Sequence, residues 1–196
     1  MRIIAGDFRG RKLLAPSRDT TRPITDRVKQ SLFDIIAPDL PDAVVFDCFA
    51  GTGSMGLESL SRGARLAYFF ESDRSAIGLL KTNIDTLAIK DRTRLVAGDL
   101  FKWFAQAILA DDQKATVIFL DPPYRFVVER SGQIRELVTQ MRQRFLADGG
   151  YIVFRHDVND NLGFADVKEV DRREYGGMVL RFLRPQPTTP ESGTIA

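Results

Sequence analysis

Asp121-Pro122-Pro123-Tyr124 is the segment of this 196-residue chain whose residue types and spacing most clearly suggest chemistry. The two prolines remove two backbone donors and hold the chain extended, so that carbonyl oxygens face outward. An acidic side chain and a proline carbonyl then form a rigid pair of acceptors. The adjoining aromatic ring offers a flat surface on which a nucleobase can stack. An exocyclic amine on a base needs such a pair, because its lone pair is delocalised into the ring and is a poor nucleophile. Acceptors on its two N–H groups favour pyramidal nitrogen and offset the positive charge that builds during attack on a methyl group. Hydrogen bonding and alignment carry the reaction in this reading, with no nucleophilic side chain and no covalent intermediate. The structural alternative is a rigid turn after a strand.

A second motif lies upstream. Val44-Val45-Phe46 is a short apolar run leading through Asp47-Cys48-Phe49-Ala50 to Gly51-Thr52-Gly53-Ser54-Met55-Gly56. The glycines satisfy the dinucleotide pattern, and Glu71 stands about where its ribose-binding acid belongs. Charge argues for another ligand. A pyrophosphate at the helix N-terminus would face Asp47, Asp99 and Asp121. S-adenosylmethionine has a sulfonium and an ammonium group and no phosphate, so carboxylates favour it. Asp47 is assigned to its methionine end, with close approach by the backbone of Phe49, Ala50, Gly51 and Gly53. Glu71 takes the ribose diol, and Asp99 with the backbone of Leu100 takes the adenine. No metal is expected.

The elements that must position these residues alternate between strand and helix. Strands are expected at 44–46, 66–70, 93–97, 116–120 and 151–154, each of the first four ending at an acid. A hairpin is expected around Gly176-Gly177. Thr25 should cap a helix with Val28, Leu32, Ile35 and Ile36 on one face, ended near Pro38. Further helices carry Met55, Leu57 and Leu60, stopped by Gly63; then Ile77, Leu80, Ile84 and Leu87 behind Asp73; then Phe101, Phe104 and Ile108; then Ile134 to Phe145. This order predicts an α/β, Rossmann-like fold. Its seven-stranded sheet is mostly parallel, with an antiparallel C-terminal hairpin strand and a small N-terminal hairpin and helix. Ligands of such sheets sit beyond the carboxyl ends of the strands, which gathers Asp47, Glu71, Asp99 and Asp121 on one rim. Residues 1–38 read as a basic hairpin and helix extension, 39–184 as the cofactor-binding domain, and 185–196 as an unstructured tail.

Composition, with 44% hydrophobic and 28% charged residues, is that of a globular chain. No run approaches the ~20 apolar residues of a membrane span, and the opening lacks a signal-peptide apolar stretch. Cys48, as the only cysteine, excludes an internal disulfide. A cytoplasmic monomer is the expectation. The net charge is only +2, but Arg9, Arg11, Lys12, Arg22 and Arg27 lie in a basic N-terminal arm suited to phosphate contact. Arg125 stands beside the catalytic tetrapeptide and can assist. His156 has no partner at metal-ligand spacing and is expected at the surface or a strand end. Cys48 is read as a small buried residue and Trp103 as helix packing.

The two motifs together resemble class I methyltransferases that act on amino groups. Met1-Arg2-Ile3-Ile4-Ala5-Gly6, Arg9-Gly10-Arg11-Lys12-Leu13 and Arg22-Pro23-Ile24-Thr25-Asp26-Arg27-Val28 with Leu32-Phe33 narrow the resemblance to the RsmD family of bacterial 16S ribosomal RNA guanine-N2 methyltransferases. It spans residues 1 to about 183. It implies a guanine of the small-subunit RNA as target, presented on the subunit or an assembly intermediate, and a segment around Arg22–Arg27 that folds over the cofactor. Ile24 stands where a second threonine is frequent, and Tyr124 where phenylalanine is. Residue chemistry alone leaves a DNA adenine-N6 methyltransferase open, and guanine is preferred by resemblance. Two further readings are a nicotinamide oxidoreductase and a non-catalytic RNA-binding module.

Overall fold

The computed structural model describes residues 1–16 and 24–186; Arg22 and the tail from residue 187 lie outside them. Seven strands form one sheet: β1 (Val44–Cys48), β2 (Leu66–Glu71), β3 (Thr93–Ala97), β4 (Ala115–Leu120), β5 (Leu146–Asp157), β6 (Val167–Tyr175) and β7 (Met178–Pro185). Their order is β3-β2-β1-β4-β5-β7-β6. The first five are parallel, and β7 runs antiparallel to both β5 and β6. This is the expected Rossmann-like, class I arrangement. The order of winding reverses between β1 and β4, the place where such sheets open a ligand crevice at their carboxyl ends.

Alternate residues of each strand supply two cores. Val45, Phe69, Phe119 and Val153 pack against α1 (Asp26–Ile35), α2 (Ser54–Ser61) and α3 (Arg74–Leu87). Phe46, Phe70, Ile118 and Phe154 pack on the other face against α4 (Leu100–Gln106), α5 (Tyr124–Glu129) and α6 (Ser131–Gln140), the last continued by a wide turn at Met141–Phe145. The two-residue period of the strands decides which face a side chain meets. Asp47, Asp121 and Arg155 therefore belong with the α1–α2 face, and His156 with the other.

The helix starts follow capping chemistry. Thr25 Oγ1 accepts from Val28 N–H and Asp73 Oδ1 from Ala76 N–H. The inward stripe of α1 is Val28, Leu32 and Phe33, with Ile36 behind it. Ile35 corrects the expectation: it lies exposed on the outer side, because two adjacent residues on a 3.6-residue turn diverge by about 100°. Ile108 is a second correction. α4 ends at Gln106, and Ile108 is 90% exposed beyond it. β5 is longer than expected. Its pairing with β4 skips from Ala115–Leu146 to Val117–Tyr151, a bulge around Gly149 and Gly150.

The N-terminal segment is stitched to α1 and α2 by buried polar groups. Arg2 and Lys12 form a single antiparallel bridge. The backbone N–H groups of Ile4 and Ala5 donate to the two oxygens of Glu58 at 2.8 and 3.0 Å. Lys29 Nζ meets Glu58 at 3.0 Å and donates to the carbonyl of Arg2 at 2.8 Å. Gly6 permits the approach: its φ is +80°, and a Cβ there would fall 1.8 Å from the Ser61 carbonyl oxygen. Leu14 is held by Asn83, whose amide also donates to the carbonyl of Thr52 in the glycine loop.

Candidate active site

The glycine loop leaves β1 with Phe49 at φ +64°, Gly51 at +55° and Gly53 at +86°. Gly53 and Gly56 are required by packing: a Cβ would lie 2.5 Å from Leu80 and 2.3 Å from Phe69 respectively. Gly51 instead faces open space. The rim is knitted by the backbone. Ala50 N–H donates to Phe70, Gly98 N–H to Glu71, and Asp121 N–H to Cys48. The carboxyl ends of β1, β2, β3 and β4 thus form one continuous edge.

Asp47 is buried beneath the loop, where it accepts from Gly56 N–H at 2.8 Å. Burial first, with the charges of Asp121 and Glu71 adding to it, raises its pKa to about 7. Glu71 accepts from Gly51 N–H at 2.7 Å, and its other oxygen takes Ser72 and Asp73 N–H. Asp99 caps α4 through Phe101 and Lys102 N–H. Leu100 has its side chain in the core, which leaves its backbone to the rim. Phe49 is half-buried, with Phe101 and Phe126 ring centroids at 6.2 and 6.0 Å. Ala50 is buried.

Asp121 follows directly on β4, with a quarter of its side chain open. Its Oδ1 meets Arg155 Nε at 2.9 Å. Burial raises the Asp121 pKa to about 6, against the opposing pull of Arg155. Pro122 is buried and Pro123 half-buried. The Pro123 carbonyl accepts from Phe126 N–H at 2.8 Å as α5 begins. The Pro122 carbonyl is thus the better placed of the two to serve a ligand. Tyr124 is half-buried, with the Arg155 guanidinium carbon 5.8 Å from its ring centroid. A small cavity beside the pair is lined by Ile24, Leu32, Met55, Phe119, Val153 and Leu180. Among the described residues, no group of three His, Cys, Asp or Glu could hold a metal ion.

Arg9, Arg11 and Lys12 are exposed on the N-terminal segment, Arg27 on α1 and Arg125 on α5. Arg125 lies 5.5 Å from the Phe126 ring centroid, and Arg130 packs over the same ring at 4.1 Å. His156 lies at the end of β5, one of its two expected places, but not at the surface: it is 1% exposed, stacked on Phe154, with Nδ1 2.7 Å from the Asp157 carbonyl. Burial lowers its pKa. Cys48 is buried and its thiol is pushed well up by burial. Trp103 packs among Phe46, Tyr68, Phe70, Phe104 and Phe145. Sequence reasoning missed Arg155, although an arginine inside Tyr151-Ile152-Val153-Phe154-Arg155 was a signal that a buried acid lay opposite.

Fold and rim together define a class I, Rossmann-like methyltransferase. The family model described as "Conserved hypothetical protein 95" matches residues 1–184. The chain is 37% identical to "Ribosomal RNA small subunit methyltransferase D" of Escherichia coli K12 over 98% of its length and 93% of that protein's. The solved structure of Escherichia coli yhhF superposes with a TM-score of 0.81 at 32% identity, covering 95% of this chain and 98% of that one. A Haemophilus influenzae structure described as a putative methylase gives 0.74 at 28%, covering 94% and 97%. The chain belongs to this methyltransferase family, known as RsmD. Membership implies use of S-adenosylmethionine and sets aside the nicotinamide reading.

Proposed function

We propose that the chain transfers a methyl group from S-adenosylmethionine to the exocyclic N2 amine of a guanine in small-subunit ribosomal RNA. The observation that carries this reading is the partly open Asp121, fixed beside Pro122 and Tyr124 at the carboxyl end of β4. Charge supports the cofactor assignment. The Asp47, Glu71 and Asp121 carboxylates are close enough that the latter two raise the pKa of the first, and a ligand with a sulfonium and an ammonium against a single carboxylate relieves that repulsion where a pyrophosphate would add to it. Bound there, S-adenosylmethionine supplies an electrophilic methyl group on a sulfonium.

The residues of this chain supply the rest. Phe49, Ala50, Gly51 and Gly53 let the loop backbone approach the cofactor, while Asp47 holds α2 against the loop and contributes negative charge. Glu71 takes the ribose hydroxyls: Gly51, Ser72 and Asp73 N–H fill three of its roughly four acceptor sites, so a diol uses the fourth and displaces one N–H. Asp99 and the Leu100 backbone face the adenine. Asp121 Oδ2 and the Pro122 carbonyl accept the two N–H bonds of the target amine and favour a pyramidal nitrogen. With a pKa of about 6, Asp121 is mostly ionised at neutral pH and accepts rather than donates. It is also placed to take the proton the amine must lose. Tyr124 stacks on the base, with Pro123 fixing its approach.

A base within structured RNA must leave its stack to reach this rim. Arg9, Arg11, Lys12, Arg22, Arg27 and Arg125 are assigned to phosphates that hold the strand during that step. The partner is the small subunit or an assembly intermediate, and the chain acts as a cytoplasmic monomer. No helix among the described residues is long and apolar enough to cross a membrane. The test is methyl transfer from labelled S-adenosylmethionine to unmodified small subunits, naked RNA and DNA, with the product nucleosides identified by mass spectrometry. N2-methylguanosine from the subunits is expected. N6-methyladenine in DNA would select the adenine alternative instead.

A further inference from the structure

We propose that Arg155 is a positioning residue for this reaction: it ties the Asp121 carboxylate and the Tyr124 ring into one unit and keeps the carboxylate in its charged, N–H-accepting form. The inference rests on the reading of Asp121 as the amine acceptor. Its origin lies in strand register. β4 and β5 are parallel with Leu120 opposite Phe154, so the next residue of each strand, Asp121 and Arg155, emerge side by side on the same face. Arg155 Nε then meets Oδ1 at 2.9 Å, with the arginine side chain 10% exposed and the aspartate 26%. The guanidinium is walled in while the carboxylate opens outward. That asymmetry directs the remaining oxygen toward the place a ligand would occupy.

The chemistry requires arginine. Its guanidinium is planar, stays charged when buried, and can bond a carboxylate while its face lies against an aromatic ring. Here its central carbon is 5.8 Å from the Tyr124 ring centroid. One rigid group therefore sets both the acceptor and the stacking surface, and a rotation of either would be felt by the other. Among the described residues, the groups around Asp121 come from six elements. Arg155 comes from β5, Asp47 from β1 with Glu71 behind it on β2, and Tyr124 from α5; α1 and α2 present the apolar Leu32 and Met55. Burial raises the Asp121 pKa, and Arg155 opposes it. Losing the arginine must move the carboxylate toward its neutral form, which donates one hydrogen bond where the amine needs two acceptors.

The experiment is the single-turnover methyl-transfer rate from pH 5.5 to 9 for wild type, Arg155→Gln and Arg155→Lys, with S-adenosylmethionine affinity measured alongside. In Arg155→Gln the acidic limb should move up by about one pH unit, so that the rate falls roughly threefold at pH 6.5 and recovers at pH 9. Arg155→Lys should bring the limb most of the way back. A loss equal at every pH, or an unmoved limb, would overturn the proposal. A second measurement needs no variant: the Arg155 Nε–H resonance in wild-type protein should titrate with the same midpoint as the rate, and a resonance that does not follow the limb also overturns it. Asp121→Ala serves as the separate control. If that variant stays active, the acceptor reading itself has failed, independently of what Arg155 does.

Discussion

Two buried ion pairs in this molecule, Lys29–Glu58 and Arg155–Asp121, have similar separations of 3.0 and 2.9 Å and opposite characters. The first is closed, with side-chain exposures of 2% and 0%. Glu58 also receives Arg62 and the amides of Ile4 and Ala5, while Lys29 reaches the Arg2 carbonyl and Ser54. Its bonding capacity is taken up inside the fold, and its role is to fasten the N-terminal segment onto α1 and α2. The second pair is half-open: the cation is enclosed, the anion faces the rim, and burial lifts the anion's pKa to about 6. A satisfied pair is structure. A pair with one partner turned outward is a site.

Breaking the closed pair should therefore cost stability. Glu58→Ala strands a buried ammonium and two amides and should lower unfolding free energy by about 3–5 kcal/mol, read by urea denaturation. Replacing both partners, Lys29→Met with Glu58→Gln, should recover part of that loss. A Glu58→Ala effect under about 1 kcal/mol would mean the pair does not fasten the segment.

The comparison also explains what the sequence could and could not show. The first four strands and their terminal acids were legible because each apolar run ends abruptly at a carboxylate and a turn. The glycine loop and the tetrapeptide were legible as local motifs. Neither ion pair was, because each joins residues far apart in the chain, and register between strands leaves no local trace. Glu58 carried an indirect sign: it lies in Ser54–Ser61, a helix buried on every side, where an acid must find partners. Ile35 and Ile108 were misplaced for the converse reason, that hydrophobic type alone does not fix which way a residue near a helix end will face.

Asp47 sharpens the contrast, being buried without a cationic partner among the described residues. Its pKa is raised above the unfolded value, to about 7. Its contribution therefore favours the fold below about pH 4 and is lost as pH rises through 7, by at most about 1.4 kcal/mol per pH unit. Asp47→Asn should remove that slope and be more stable than wild type at pH 8, while binding S-adenosylmethionine more weakly. Calorimetric melting across pH checks the first, and equilibrium dialysis the second. An unchanged pH slope would show that Asp47 does not titrate in this range.

A smaller effect is expected at the exposed arm. Charge reversal at Arg9, Arg11 and Lys12 together should weaken RNA binding and flatten its salt dependence by roughly one unit of log–log slope for each phosphate no longer neutralised. Cofactor affinity and melting temperature should not change. Filter binding at several salt concentrations tests this, and an unaltered slope would remove these three residues from the interface.

The most direct test of the central claim is the single-turnover rate of Asp121→Ala on the natural RNA substrate, with S-adenosylmethionine affinity measured on the same preparation. A loss of about 10²- to 10³-fold in rate is expected, with cofactor affinity changed far less. A rate within a few-fold of wild type would show that the partly open carboxylate is not the acceptor on which the reaction depends.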